Sequence, residues 1–196
     1  GRTENDGLGL GATLTWYGAS GFYADAQASY TWYDTDLTSH TAGQTLAEGN
    51  GGHGYALSLE GGWQSAGGSD SADGYKLTPQ VQLTYSRVSF AAFDDPFEAH
   101  VDDGKGESLR ARIGLAFDRE TATTDSRGRR TTSHLYVIPN LYYEFLDGAQ
   151  ATVSGANGDN PLVFANREDR LWAGLGLGGA NSWNNGQISV FAEANL

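Results

Sequence analysis

Leu8, Leu10, Ala12, Leu14 and Trp16 alternate without interruption against Gly7, Gly9, Gly11, Thr13, Thr15 and Tyr17. One face is oily; the other is glycine, hydroxyl and phenol. A period of two describes a β-strand set between two different environments. The alternation returns over residues 22–34, 54–64, 75–93, 107–119, 134–146, 169–183 and 187–196. No helical period survives for more than a turn. The pattern predicts an all-β chain of eight long strands, forming one domain over residues 1–196.

Composition agrees with strands and tight turns. The 28 glycines are about twice what average usage of ~7% gives, and ten of the aromatic residues are tyrosine. A net charge of −12 argues against a nucleic-acid partner, which needs a basic footprint. With no cysteine, disulfides, thiolate metal sites and cysteine nucleophiles are excluded. The chain has no methionine, so it is expected to derive from a longer precursor. No stretch approaches ~18 consecutive apolar residues, so no transmembrane helix is predicted. Barrel strands need only ~9–11 residues each and escape hydropathy plots.

Two architectures fit such strands. In a soluble sandwich or barrel the apolar face is the core. In a membrane barrel that face meets lipid and the polar face lines the lumen. The polar face here carries charges of both signs at mid-strand: Asp25, Glu60, Arg110, Arg112, Glu144 and Glu193. Gln27, Gln80, Gln82 and Asn140 share it, as do Tyr17, Tyr23, Tyr136, Tyr142 and Trp172. On the apolar face, Trp16 and Phe22 flank one turn, Trp32 and Tyr55 flank the next loop, and Trp63 closes the third strand. Rings at strand ends suit the two interfaces of a bilayer. An antiparallel up-and-down transmembrane β-barrel is therefore expected. The ten polar residues would face the lumen and the five aromatic residues the interfaces. A charge turned to lipid would cost ~2–4 kcal/mol at the midplane.

The connections also alternate in length. Residues 18–21 are short, 35–53 long, 65–74 moderate, 94–106 longer and acidic, 147–168 long and 184–186 very short. Residues 120–133 break the trend. Short turns on one side and long loops on the other is the outer-membrane arrangement, which places the odd connections in the periplasm. Beyond Arg87 the parity changes to Val88 and Phe90, predicting a bulge or an exit from the layered region. Pro79 is expected at a strand start or edge.

Enzyme-like motifs do not hold together. Gly174-x-Gly176-x-x-Gly179 and Gly7-x-Gly9-x-x-Ala12 imitate a dinucleotide fingerprint, yet they fall inside strands and no helix follows. Glu60, Glu144 and Glu193 could supply a glycosidase carboxylate pair, but a lumen charge ladder explains them more simply. His40, His53, His100 and His134 lack metal-ligand spacing. The acidic loops 70–73 and 94–103 miss the EF-hand register and could hold Ca²⁺ only loosely. No G-x-S-x-G elbow exists. No catalytic residue, metal or cofactor is expected. The alternatives are a soluble carbohydrate-active or sugar-binding barrel, using the glutamates in a cleft, and a general porin-like channel.

Blocks throughout the chain resemble a known family. "GLGLGATLTWYGASGFYADAQASYTWYDTDL", "GYALSLEGGW", "LTPQVQLTYSRVSF", "DPFEAHVDDGKGESLRARIGLAFDRE", "LYYEFLDGA" and "DRLWAGLGLGGANSWNNGQISVFAEANL" are similar to the C-terminal translocator β-domain of autotransporters, the type V secretion proteins. "LTPQVQLTY" and "SLRARIGL" are the most specific parts. The resemblance implies a twelve-stranded barrel with a helix threaded through its lumen, in the outer membrane of a Gram-negative bacterium. Such a domain anchors a passenger domain of the same parent chain and helps export it to the cell surface, with help from the barrel-assembly machinery. Its partners would be outer-membrane lipid, passenger and that machinery. The eight segments would match roughly the fourth to eleventh family strands, so the domain is expected to be incomplete at both ends. The family's self-cleavage chemistry lies around the helix and is not carried over.

Overall fold

A computed structural model describes residues 1–65, 73–102, 104–155, 158–166 and 169–196. Among them there is no α-helix. Eight long strands follow one another in chain order: β1 (Arg2–Tyr17), β2 (Phe22–Ser39), β3 (Gln44–Trp63), β4 (Asp73–Phe90), β7 (Lys105–Thr124), β8 (Arg130–Glu144), β11 (Leu171–Trp183) and β12 (Ile188–Asn195). Four short strands decorate two connections: β5 (Phe93–Asp94), β6 (His100–Val101), β9 (Gly148–Ser154) and β10 (Leu162–Asn166). The sheet order β1-β2-β3-β4-β7-β8-β11-β12 is an antiparallel meander, with β1 and β12 at its two open edges. The sheet curls towards its polar side. A cavity of about 550 Å³ there is lined by Tyr17 of β1, Tyr23 of β2, Thr78 of β4, Asp118 of β7, Tyr136 of β8 and Glu193 of β12.

Register keeps the two chemistries apart, because each pairing places like faces side by side. Asp25 pairs with Glu60, Glu60 with Gln82, and Gln82 with Arg112. On the opposite face Leu83 pairs with both Leu59 and Ala111. Burial is inverted relative to a soluble domain. The one buried hydrophobic side chain among the described residues is Ala116, whereas Leu8, Leu59, Ile113 and Leu135 are each more than 60% exposed. Thr35, Thr78, Glu144 and Ser154 are buried. A soluble sandwich reverses this distribution.

Several expected boundaries move. Residues 35–53 are not a loop: β2 and β3 continue as a hairpin closed at residues 40–43, with register irregularities at Leu37. Trp32 and Tyr55 therefore lie within strands rather than beside a loop. Residues 120–133 cease to be an exception, since β7 runs on to Thr124 and β8 begins at Arg130. The acidic segment 94–106 contains β6, and 147–168 contains the β9–β10 hairpin, where only residues 152–153 suggested one. β8 stops at Glu144, and β9 takes over beside β7 through Glu107–Gly148. The expected turn at 65–74 lies mostly outside the described residues.

No bulge accompanies the parity change at Arg87. Pairing from Tyr75–Arg119 to Ser89–Lys105 is continuous. The faces keep their sides while their chemistry inverts, so the second expectation, an exit from the layered region, is the one observed. Pro79 is not at a strand start. It sits mid-strand in β4 beside Leu115, which the β7–β8 register on either side, Gly114–Asn140 and Phe117–Val137, sets opposite Pro139. The β7–β8 ladder is interrupted between Gly114 and Phe117, opposite that N–H-less proline.

Turn chemistry repeats. In residues 18–22, 95–99, 125–129 and 155–159 the first N–H bonds the fifth carbonyl and the fourth N–H bonds the first. The fourth residue is left-handed each time: Gly21, Glu98, Gly128 and Gly158. In the three segments whose residues are all described, 18–22, 95–99 and 125–129, this is the hydrogen-bond pattern of a turn with a glycine-type bulge, well suited to the twist of hairpins. The β11–β12 turn instead has three successive left-handed residues, Asn184, Asn185 and Gly186, with Gly186 N–H donating to the Trp183 carbonyl and Gln187 N–H to the Asn184 carbonyl.

Candidate functional site

The polar wall is organised around Arg112. Its guanidinium lies 2.6 Å from Glu60 and donates to Asn140 at 2.8 Å and Gln82 at 3.1 Å. A longer contact of 3.4 Å reaches Gln80. Tyr23 donates to the other Glu60 oxygen at 2.7 Å. Four strands thus meet at one cation, β3, β4, β7 and β8, and β2 joins through Tyr23. Arg112 and Glu60 side chains retain only 14% and 18% of their accessible surface. A charge so placed needs several acceptors, and the wall supplies them.

The remaining polar-face residues form separate groups rather than one ladder. Asp25 accepts from Thr15 at 2.5 Å and Gln27 at 2.8 Å. Glu193 accepts from Tyr136 at 2.8 Å. Glu144, 4% exposed, accepts from Ser108 Oγ at 2.6 Å and from the N–H groups of Leu109 and Leu146. It therefore fixes the point where β8 leaves the wall and the chain turns towards β9. Arg110, opposite Glu144 in register, makes no hydrogen bond to it; its guanidinium lies over the rings of Tyr142 and Trp172, which stack at 5.3 Å. All ten polar residues share one face. Glu60, Gln80, Gln82, Arg112 and Asn140 come together; Asp25 with Gln27, Glu193, Glu144 and Arg110 stand apart.

Tyrosine–glycine pairs were not singled out in the sequence. A Cβ at Gly62 would collide with the Tyr23 ring, and one at Gly178 would lie 2.5 Å from Tyr136 Cζ. Only glycine lets each ring lie flat over the neighbouring strand and point its hydroxyl at a glutamate. The signal was present as alternating glycines opposite tyrosines, but it needs the register to be read.

Of the interfacial aromatics, Trp16, Phe22 and Trp63 cluster at the 18–21 turn. Phe22 and Trp63 rings are 6.3 Å apart, and Trp63 Nε1 donates to the Ser20 carbonyl at 3.0 Å. Trp32 and Tyr55 lie towards the other end, each beside Tyr30. All five point away from the polar wall.

A wall of hydrogen-bonded charges inside an apolar exterior is the pattern of a membrane barrel, and comparison with known proteins agrees. The family model described as Autotransporter beta-domain matches residues 1–195. The chain belongs to the autotransporter β-domain family. It is 41% identical over 193 residues to the Adhesin BmaC autotransporter of Brucella suis, covering 98% of this chain and 5% of that protein. The Pertactin autotransporter of Bordetella parapertussis is 28% identical over 194 residues, 98% of this chain and 19% of that protein. The Probable autotransporter YfaL of Escherichia coli is 27% identical over 153 residues, 76% of this chain and 11% of that protein. The chain spans between 5% and 19% of the length of these relatives. As an autotransporter β-domain it is an outer-membrane barrel domain of the translocator class, and the soluble sugar-binding alternative is set aside.

Proposed function

We propose that this domain anchors a passenger segment of its parent chain in the outer membrane and guides that segment to the cell surface, without catalysing any reaction itself. The supporting observation is the inverted polarity: large apolar side chains cover the outside, while Glu60, Arg112 and their partners line the inner wall. In this reading the outside binds lipid, and the ladders from β1 to β12 hold the backbone groups between neighbouring strands within the wall. The wall offers a polar, hydrogen-bonding path to a peptide. Short turns face the periplasm, and the β2–β3 hairpin and β9–β10 face the surface. The barrel-assembly machinery is the partner that would insert it. Metal and cofactor have no part.

The test is protease shaving of intact cells that express the parent chain. Upstream sequence should be released by external protease from the unaltered protein. In a parent chain lacking residues 1–196 it should stay protected inside the cell. Release from both would refute the assignment.

A further inference from the structure

We propose that the outward row Tyr30–Tyr55–Arg87–Glu107 binds the uncharged part of the sugar headgroup of an outer-leaflet glycolipid, through its hydroxyls and its C–H face. This rests on the reading that the β2–β3 and β9–β10 connections face the cell surface.

The level of the bilayer boundary is marked by the chemical inversion at Arg87. Below it, the outward residues of β4 are Leu77, Val81, Leu83 and Tyr85; from it upward they are Arg87 and Ser89. Inward, Val88 and Phe90 replace the threonines and glutamines. An outward face that turns polar while the inward face turns apolar has left hydrocarbon and entered headgroups.

Register lays four side chains in one line at that level. Tyr30 of β2 pairs with Tyr55 of β3, Tyr55 with Arg87 of β4, and Arg87 with Glu107 of β7. With strands about 4.8 Å apart, the line runs for roughly 14 Å across the outer face. Its first half is rings. Trp32 meets Tyr30 edge-on at 4.6 Å, and Tyr85 stands 5.9 Å from Tyr55. Its second half is an ion pair. Arg87 Nη1 lies 2.9 Å from Glu107, and the two side chains keep 37% and 42% of their accessible surface.

The pair is neutral as a unit, so it has no excess charge for an anion. What it presents is donors and acceptors side by side. A guanidinium has five N–H groups and a carboxylate about four acceptor positions, so one contact between them leaves both able to bond further. Adjacent sugar hydroxyls need that combination, one accepting and the next donating. The electron-rich face of a ring suits the C–H face of a pyranose. The opposite boundary is built otherwise. There Trp16, Phe22 and Trp63 cluster at the 18–21 turn, and Phe117 pairs with Leu77. One girdle is tyrosine and ion pair; the other is tryptophan, phenylalanine and leucine. Two leaflets with different headgroups account for the difference, and the hydrogen-bonding girdle is the one at the surface.

The parent chain, purified in an amine-oxide detergent that carries no sugar, is titrated with digalactosyl diacylglycerol, an uncharged glycolipid, and with phosphatidylglycerol. Bound lipid is counted by native mass spectrometry. The galactolipid should be retained in preference to phosphatidylglycerol, and free lactose at the same concentration should not displace it. Arg87→Met, Glu107→Met and Tyr55→Leu should each weaken retention by about fivefold, the loss of one hydrogen bond or ring contact. Arg87→Gln with Glu107→Gln, which keeps donors and acceptors without charge, should weaken it less than Arg87→Met with Glu107→Met. Arg119→Met, at the opposite boundary over Tyr75, should leave it unchanged. Heat-modifiable mobility on gels checks that every variant is folded. Equal retention of phosphatidylglycerol, displacement by lactose, or retention unaffected by Arg87→Met and Tyr55→Leu would overturn the proposal. Orientation is read separately by labelling Thr41→Cys and Ser126→Cys in intact cells with an impermeant maleimide. Labelling of Thr41→Cys alone is expected. Labelling of Ser126→Cys would overturn the outer-leaflet assignment, while failure of the export reading would show only in protease shaving.

Discussion

Arg112 of β7 reaches past β4 to place its guanidinium 2.6 Å from the carboxylate of Glu60 on β3. The strand between them contributes Gln82, which pairs in register with both residues and also accepts from Arg112. One ion pair thus ties three successive strands on the side away from lipid. It is the densest polar contact of the wall, and its removal should be felt as lost stability rather than lost insertion.

Arg112→Gln and Glu60→Gln are each expected to lower the unfolding free energy of the refolded barrel by about 1.5–3 kcal/mol, the range for hydrogen bonds to charged groups. The double variant should lose clearly less than the sum, because each single change strands the other partner. Urea titration followed by tryptophan fluorescence measures all three. Strict additivity would mean that the pair does not act as a unit.

The tyrosine–glycine pairs make a second expectation. In Gly178→Ala the new methyl occupies the place of the Tyr136 ring, which must swing away from Glu193. The cost should be about 0.5–1.5 kcal/mol, one hydrogen bond. Adding Tyr136→Phe, which has already given up the hydroxyl, should reduce the penalty of Gly178→Ala. The same urea titration checks it; an unchanged penalty would place the cost elsewhere.

Glu98 occupies a left-handed position, φ 61°, that glycine fills in the three matching turns. For an L side chain this costs about 1–2 kcal/mol, part of which glycine returns as chain entropy. Glu98→Gly should therefore slow amide exchange of Ala99 and Val101 by a factor of about two to five. Faster exchange would contradict the strain.

His100 ties β6 to its neighbours through Asp94 at 2.6 Å and Asp102 at 3.4 Å. The hydrogen bond to Asp94 holds the imidazole above its ordinary value. A raised folded value means that the stabilisation is complete below the unfolded value of about 6.5 and is lost as pH rises through the folded one. NMR titration of the His100 ring should give a midpoint above that ordinary value, and Asp94→Asn should bring it down. Exchange at Val101 should quicken with rising pH more in the natural protein than in His100→Gln. A midpoint at or below the ordinary value would contradict the stabilising bond to Asp94.

Much of this architecture was legible because a β-strand has only two faces. Leu8 to Trp16 declares a strand by alternation alone, and the six mid-strand charges are too costly to face lipid, which is enough to sort inside from outside. Elements that depend on register or on breaking the rule were not legible. The β2–β3 extension over residues 35–53 read as a loop, because above the bilayer neither face must be apolar and the alternation fades. The inversion at Arg87 left two readings open, a bulge or an exit from the layered region, since a change of solvent and a change of phase leave the same trace in a sequence. Arg110 was expected in an ion ladder but rests on Tyr142 and Trp172, a cross-strand choice that strand-by-strand reading does not resolve.

The outward orientation of the apolar face is tested most directly by two adjacent substitutions in the parent barrel. Ile113 is 62% exposed on the outer face, and Arg112 is its inward neighbour. Insertion into outer-membrane fractions is measured by heat-modifiable mobility for Ile113→Arg and for Arg112→Gln. Ile113→Arg should sharply reduce the inserted fraction, reflecting a penalty of about 2–4 kcal/mol at the midplane, while Arg112→Gln should insert as the natural protein does. Equal loss for both, or normal insertion of Ile113→Arg, would contradict the assignment of the two faces.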